Sequence, residues 1–178
     1  MKTPYNEIVN IASIGSQTNP ISLNEILRKA NDEQLTPAAQ NKERVLFLGI
    51  DVQQDFMDNG ALGVPGAHGD VERMTQFIYN NMDKITNIAV SIDTHTPHQI
   101  FHPCWWIDEN GNNPAPYTPI TLADLDSGKY RAVIYPRQSR DYVEHLENDG
   151  KKTLCVWSYH CLQGTSGSAF ENQFAHMI

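Results

Sequence analysis

The sequence predicts an α/β fold, a three-layer α/β/α sandwich built on a mostly parallel sheet. Three apolar runs carry that expectation, at residues 45–50, 88–92 and 153–157. The first is continuous rather than alternating, as a strand buried on both faces is. Segments with apolar residues at helical spacing separate them, so the order reads βαβ, repeated, which favours parallel pairing with helical crossovers. The first two runs end in acid, at Asp51 and Asp93.

Residues 1–44 read as a polar lead-in with one short helix. Ser22-Leu-Asn-Glu25 is a capping box, and Leu23, Ile26, Leu27 and Ala30 share a helical face. Residues 45–178 read as the main domain. Its first strand, Val45-Leu-Phe-Leu-Gly-Ile50, leads through a Gly/Pro-rich loop at 60–69 to a helix capped by Asp70. Val71, Met74, Phe77, Ile78 and Met82 form the apolar face of that helix. The second strand, 88–92, is followed by a polar, Pro-rich stretch from Thr94 to about Arg131, too long for a simple connection. A helix over about 139–148, stopped by Gly150, precedes the third strand, and Ser168-Ala-Phe-Glu171 caps a last helix running toward Ile178. Three parallel strands make a sheet that is incomplete at its C-terminal side.

Composition narrows the function. The chain has 178 residues, 40% of them hydrophobic and 19% charged, which is enough for one domain with a real core. A net charge of −8 repels nucleic acid and anionic membrane, so a small neutral or cationic ligand is the expected partner. Three cysteines, Cys104, Cys155 and Cys161, form no disulfide framework, and no segment reads as a signal peptide or a membrane span. A reducing, cytoplasmic setting is expected.

In open α/β sheets ligands bind outside the carboxyl ends of the strands. Asp51 closes the first strand, Asp93 closes the second, and His160 lies just beyond the third. Asp93, His95 and the remote His160 offer one carboxylate and two imidazoles to a divalent metal and leave open positions, as a catalytic or ligand-binding ion requires. Read one at a time, these residues are equally a strand-end cap and solvated loop histidines. A rival set, His95, His98 and His102, would share a helical face, but Pro97 and Pro103 argue against a helix there. Asp51 is placed to act as general base or acid, whereas Asp55 and Asp58 receive no chemistry. Among the cysteines, Cys155 reads as a small buried hydrophobe. Cys104 has no evident activator, and Cys161 would point away from His160 in extended chain.

Four segments occur in an order that resembles nicotinamidases and related isochorismatase-like cysteine hydrolases: Asp51-Val-Gln-Gln-Asp55-Phe56, Gly60-Ala-Leu-Gly-Val-Pro-Gly66, Asp93-Thr-His95 and Trp157-Ser-Tyr-His160-Cys161-Leu-Gln-Gly164-Thr165-Ser-Gly167. The resemblance spans roughly residues 45–170. It implies an isochorismatase-like, Rossmann-like fold and a hydrolase of small amides, nicotinamide among them. It also implies that Asp51 helps deprotonate a nucleophilic cysteine and that Asp93, His95 and His160 hold zinc or a similar ion against a pyridine nitrogen. A homo-oligomer is a further implication. The family's lysine and nucleophilic cysteine follow the His-Cys-x-x-Gly-Thr segment, so this chain is expected to be the N-terminal part of such an enzyme, carrying the catalytic Asp and the metal site only. Thr94 and Thr96 stand where nicotinamidases usually have Trp and Pro, and the stretch from His102 to Tyr135 is longer than in compact members. Two alternatives are a noncatalytic, metal-dependent module that binds a small molecule and a truncated remnant with an unpaired sheet edge.

Overall fold

The computed structural model describes residues 1–178 and divides them into two compact units, residues 1–94 with 164–178, and residues 95–163. Both mix helix and strand, and the chain is mixed α/β. No helix is long and apolar enough to cross a membrane.

In the first unit α1 (Leu23–Glu33) begins where the capping box places it, with Ser22 Oγ accepting from the Glu25 N–H. Strands β1 (Leu46–Gly49) and β2 (Asn87–Val90) pair in parallel, with Leu46 opposite Asn87 and Gly49 opposite Val90. The crossover between them is α2 (Ala67–Asn81), and α5 (Asn172–Met177) packs with it. Val52, Val71, Ile78, Phe174 and Met177 form the centre of the core, joined by Ile8, Val9 and Ile26 from the N-terminal segment. Gly49 matters to this packing, because a Cβ there would stand 3.1 Å from Phe174 Cζ.

Two helix starts in this unit differ from expectation. Helix α2 starts at Ala67, behind a left-handed Gly66, and not at Asp70. Its cap comes from a distance: Asp58 accepts from the Gly66 N–H at 2.6 Å and from the His68 N–H at 2.8 Å. Helix α5 is capped by Glu171 itself, which accepts from the Gln173 and Phe174 N–H groups at 2.8 Å. Ser168 cannot cap it because residues 166–168 form a separate 3-10 turn, where the Ser168 hydroxyl donates to the Thr165 carbonyl.

Burial of β1 also departs from the sequence reading. Leu46, Leu48 and Ile50 are 60%, 56% and 66% exposed, while Phe47 is half-buried and Gly49 buried. The core described above covers one face of the parallel pair, and the face carrying these three side chains is open.

The second unit corrects the reading of 94–131 as a loop. It contains β3 (Trp106–Asp108), β4 (Pro119–Ile120) and α3 (Leu122–Asp126), and β5 (Tyr130–Ala132) follows directly. Strand β3 pairs antiparallel with β5, and β4 pairs antiparallel with β6 (Leu154–Cys155). The third apolar run is therefore a two-residue strand in an antiparallel ladder. One ladder of three is parallel, where a mostly parallel sheet was expected. Segments of two or three residues are too short to show a period, which is why the sequence hides them. Trp106, Ile120, Val143, Leu154 and Val156 close this unit's core, with Val143 supplied by α4 (Pro136–Asn148). That helix starts three residues before the expected Ser139, with Pro136 in its first turn, a position where the missing N–H costs nothing.

Replacing Phe174 by Ala removes the side chain on which β1 and the helices converge, and is expected to cost about 3–5 kcal/mol in denaturant unfolding. Asp58 gives a pH-dependent test. The His68 N–H bond, with that of Gly66, holds its carboxyl below the usual aspartate range. A lowered folded-state pKa stabilises above the unfolded value, about 4, and that contribution is lost as pH falls through the folded one. Asp58→Asn is therefore expected to lower Tm at neutral pH, with the two proteins converging in acid.

Candidate metal centre

Strand pairing fixes the place of Asp51 within the first unit. Asp51 lies two residues beyond the end of β1, in the left-handed region at φ 53°, which an aspartate adopts more readily than most residues. Its carboxylate accepts from the Ser91 hydroxyl at 2.6 Å, and its N–H donates to Ser91 Oγ at 3.1 Å. Ser91 in turn donates its backbone N–H to the Gly49 carbonyl, so this exchange extends the β1–β2 ladder by one side-chain rung. The sequence reading gave Ser91 no part. A serine two residues before Asp93 and opposite the end of β1 is the signal that was available.

The histidines are set within residues 95–163. His95 donates its N–H to the Cys161 carbonyl at 3.0 Å and accepts from the Gln163 N–H at 2.9 Å, a parallel bridge across Leu162. That bridge brings the His95 and His160 rings together at 4.8 Å between centroids. His160 is buried, and its Nδ1 lies 2.7 Å from the Ser158 carbonyl. A carbonyl only accepts, so the proton is on Nδ1 and the ligand-capable lone pair on Nε2. Asp93 is one residue removed from His95, so the chain itself keeps the two adjacent. One ligand atom each from Asp93, His95 and His160 lies within 4.8 Å of the others.

His102 joins this cluster. Its ring centroid is 5.8 Å from that of His95 and 6.0 Å from that of His160. It is fully buried, with Nδ1 at 3.0 Å from the Pro97 carbonyl and Nε2 without a hydrogen-bond partner. Burial pushes its pKa down, and the neighbouring His160 and His95 add to that, so the ring is held neutral. The rival set of His95, His98 and His102 is not what forms: residues 94–102 are not helical, and His98 is exposed. His102 reaches the cluster through tertiary packing.

Oxygen and imidazole donors that converge to this degree fit a borderline divalent ion. The orphaned, neutral Nε2 of His102 is a second sign that the pocket suits electron-pair donors gathered around a cation. The bond from His160 Nδ1 to the Ser158 carbonyl is the kind that fixes a metal-binding imidazole in its tautomer.

The cysteines are placed otherwise. Cys161 is fully buried and in the left-handed region at φ 46°, not extended as the sequence reading took it to be. Cys155 is half-buried, and burial pushes its thiol pKa up. Cys104 donates Sγ–H to the Pro97 carbonyl at 3.1 Å. Alkylation of the native protein at neutral pH followed by mass mapping is expected to mark Cys104 first and Cys155 slowly, and to spare Cys161 until the chain unfolds.

No family model matches the sequence, and no curated protein matches it. Among solved structures the chain is similar to nicotinamidases. It is 19% identical to the nicotinamidase/pyrazinamidase of Acinetobacter baumanii, with TM-score 0.45, over 75% of this chain and 47% of that one. It is 20% identical to the yeast nicotinamidase bound to the inhibitor nicotinaldehyde, with TM-score 0.48, over 75% of this chain and 50% of that one. A further structure of the yeast nicotinamidase gives the same values. The chain thus spans about half the length of the structures it matches.

Proposed function

We propose that this chain is the metal-binding part of a nicotinamidase-like cysteine hydrolase acting on a small amide, with nicotinamide the leading candidate. The observation that carries the reading is the convergence of Asp93 and His95 with His160, which is remote from them in sequence, their donor atoms grouped within 4.8 Å. Those are the residues that the motif resemblance assigns to the metal. The fold that goes with this reading is a three-layer sandwich. The open face of β1, with Leu46, Leu48 and Ile50 exposed, supports it, because parallel strands in such folds are covered on both sides.

In this reading Asp93, His95 and His160 hold a divalent ion, zinc above all, and the bound ion supplies a Lewis-acidic docking point for a heterocycle nitrogen. The protein's own residues do the rest. Asp51 accepts the thiol proton of the nucleophile, and its carboxylate is already aimed by the Ser91 hydroxyl. His102 and Phe101 pack against the rings of the cluster, with the Phe101 ring centroid 5.0 Å from that of His95. None of Cys104, Cys155 and Cys161 is assigned as that nucleophile.

A second reading is a noncatalytic module that binds an N-heterocycle through the metal without turning it over. The burial of Cys161 and the raised pKa of the Cys155 thiol favour it, since neither is placed as a nucleophile.

Calorimetric titration of the metal-free chain with Zn²⁺ is expected to show one site. Alanine at Asp93, His95 or His160 should each weaken it by two orders of magnitude or more. At 100 times Kd the ion should add about 2.7 kcal/mol to stability, reversed by a chelator. Nicotinamide should then bind the zinc-loaded chain and not the stripped one. Ammonia release from nicotinamide by the zinc-loaded chain would contradict leaving its three cysteines without the nucleophile's role, whereas absence of metal binding would sink both readings.

A further inference from the structure

Gln53 is fully buried, and neither the motif nor the chemistry above gives its side chain a role. Its position follows from the turn at Asp51. The left-handed residue reverses the chain, the Gln53 N–H donates to the Asp51 carbonyl at 2.8 Å, and the glutamine side chain enters the first unit. Residues 52–54 are then fixed against 169–171. Gln54 N–H donates to the Ala169 carbonyl at 2.9 Å, Glu171 N–H donates to the Val52 carbonyl at 2.9 Å, and Gln53 bridges Phe170.

From there the carboxamide grips the backbone of Asp93 on both sides. Gln53 Oε1 accepts from the Asp93 N–H at 2.7 Å, while Nε2 donates to the Asp93 carbonyl at 2.8 Å. The second Nε2 hydrogen goes to the Ser168 carbonyl at 2.8 Å. A primary amide carries the same acceptor and donor edge as a peptide unit, so Gln53 treats Asp93 as a neighbouring strand would. The amide orientation is fixed by its partners, because a flipped group would set its oxygen against two carbonyls and its N–H against another N–H. Beyond Ser91 the strand has left the β1 ladder, and this side chain goes on holding it.

We infer that Gln53 is a positioning residue for the metal: its buried amide fixes the backbone of Asp93, and so the point from which the Asp93 carboxylate meets the ion. This rests on the metal-centre reading above. Metal sites tolerate ligand displacements of only about 0.5 Å, which is why their supporting contacts matter. No other common side chain reproduces the grip. Glutamate would turn an acceptor toward two carbonyls, and methionine, of matching length, would leave the Asp93 N–H and C=O and the Ser168 C=O unsatisfied.

The test is a Co²⁺ titration of the full chain, followed by the ion's visible absorption bands, for wild type, Gln53→Met and Gln53→Glu. Tm is measured alongside, and Gln173→Met serves as the control, since Gln173 is also fully buried but its Oε1 holds the Asn10 N–H, away from Asp93. Wild type and the control are expected to bind alike. The two Gln53 variants are expected to bind about 10–100-fold more weakly with altered bands, while still folded at the titration temperature. Wild-type uptake with a Gln53→Met or Gln53→Glu affinity within twofold of it and unchanged bands would make Gln53 merely structural and overturn the inference. A wild type that takes up no Co²⁺ would overturn the metal-centre reading, and the Gln53 role with it; the wild-type titration alone tells these failures apart.

Discussion

Parallel pairing of β1 with β2 is the constraint on which the rest of the first unit depends. Because the strands run the same way, both carboxyl ends fall on one edge, and the acids that close them, Asp51 and Asp93, are delivered there together. Backbone bonds end at the Ser91 N–H to Gly49 carbonyl contact. Beyond it the edge is held by side chains, through the Ser91 exchange with Asp51 and the Gln53 amide on Asp93. Polar side chains replace a strand neighbour at the point where the chain must leave the sheet to offer functional groups.

The histidine cluster of residues 95–163 obeys a different economy. Three imidazole rings lie with centroids 4.8 to 6.0 Å apart. The Ser158 and Pro97 carbonyls each fix a proton on Nδ1, so His160 and His102 both keep their lone pair on Nε2. Burial of His102 enforces its neutrality, and a cation is the natural complement to such a collection of electron pairs.

Much of this was legible in the sequence. The Ser22 cap, the α2 apolar face with Val71 and Ile78 inward, and the acids at strand ends are local signals, and local signals survive folding. The grouping of Asp93, His95 and His160 was legible as well, because spacing and strand-end position agree. What the sequence concealed depends on distance in the chain. Asp58 caps α2 from across a loop, β4 finds β6 more than thirty residues away, and His102 joins the cluster by packing rather than by periodicity. β1 reads as doubly buried from its unbroken apolar run, but composition records what a strand can bury and not which face its own chain covers. Gln53 was hidden for a related reason: a glutamine after a strand reads as a loop residue until the backbone it grips is known.

The central claim is a centre made of one carboxylate and two imidazoles, with no thiolate. X-ray absorption at the zinc edge of the zinc-loaded chain measures that directly. The account predicts a first shell of nitrogen and oxygen at about 2.0–2.1 Å with the outer-shell scattering of imidazole, and no sulfur. A sulfur shell at about 2.3 Å would place a cysteine on the metal and contradict it.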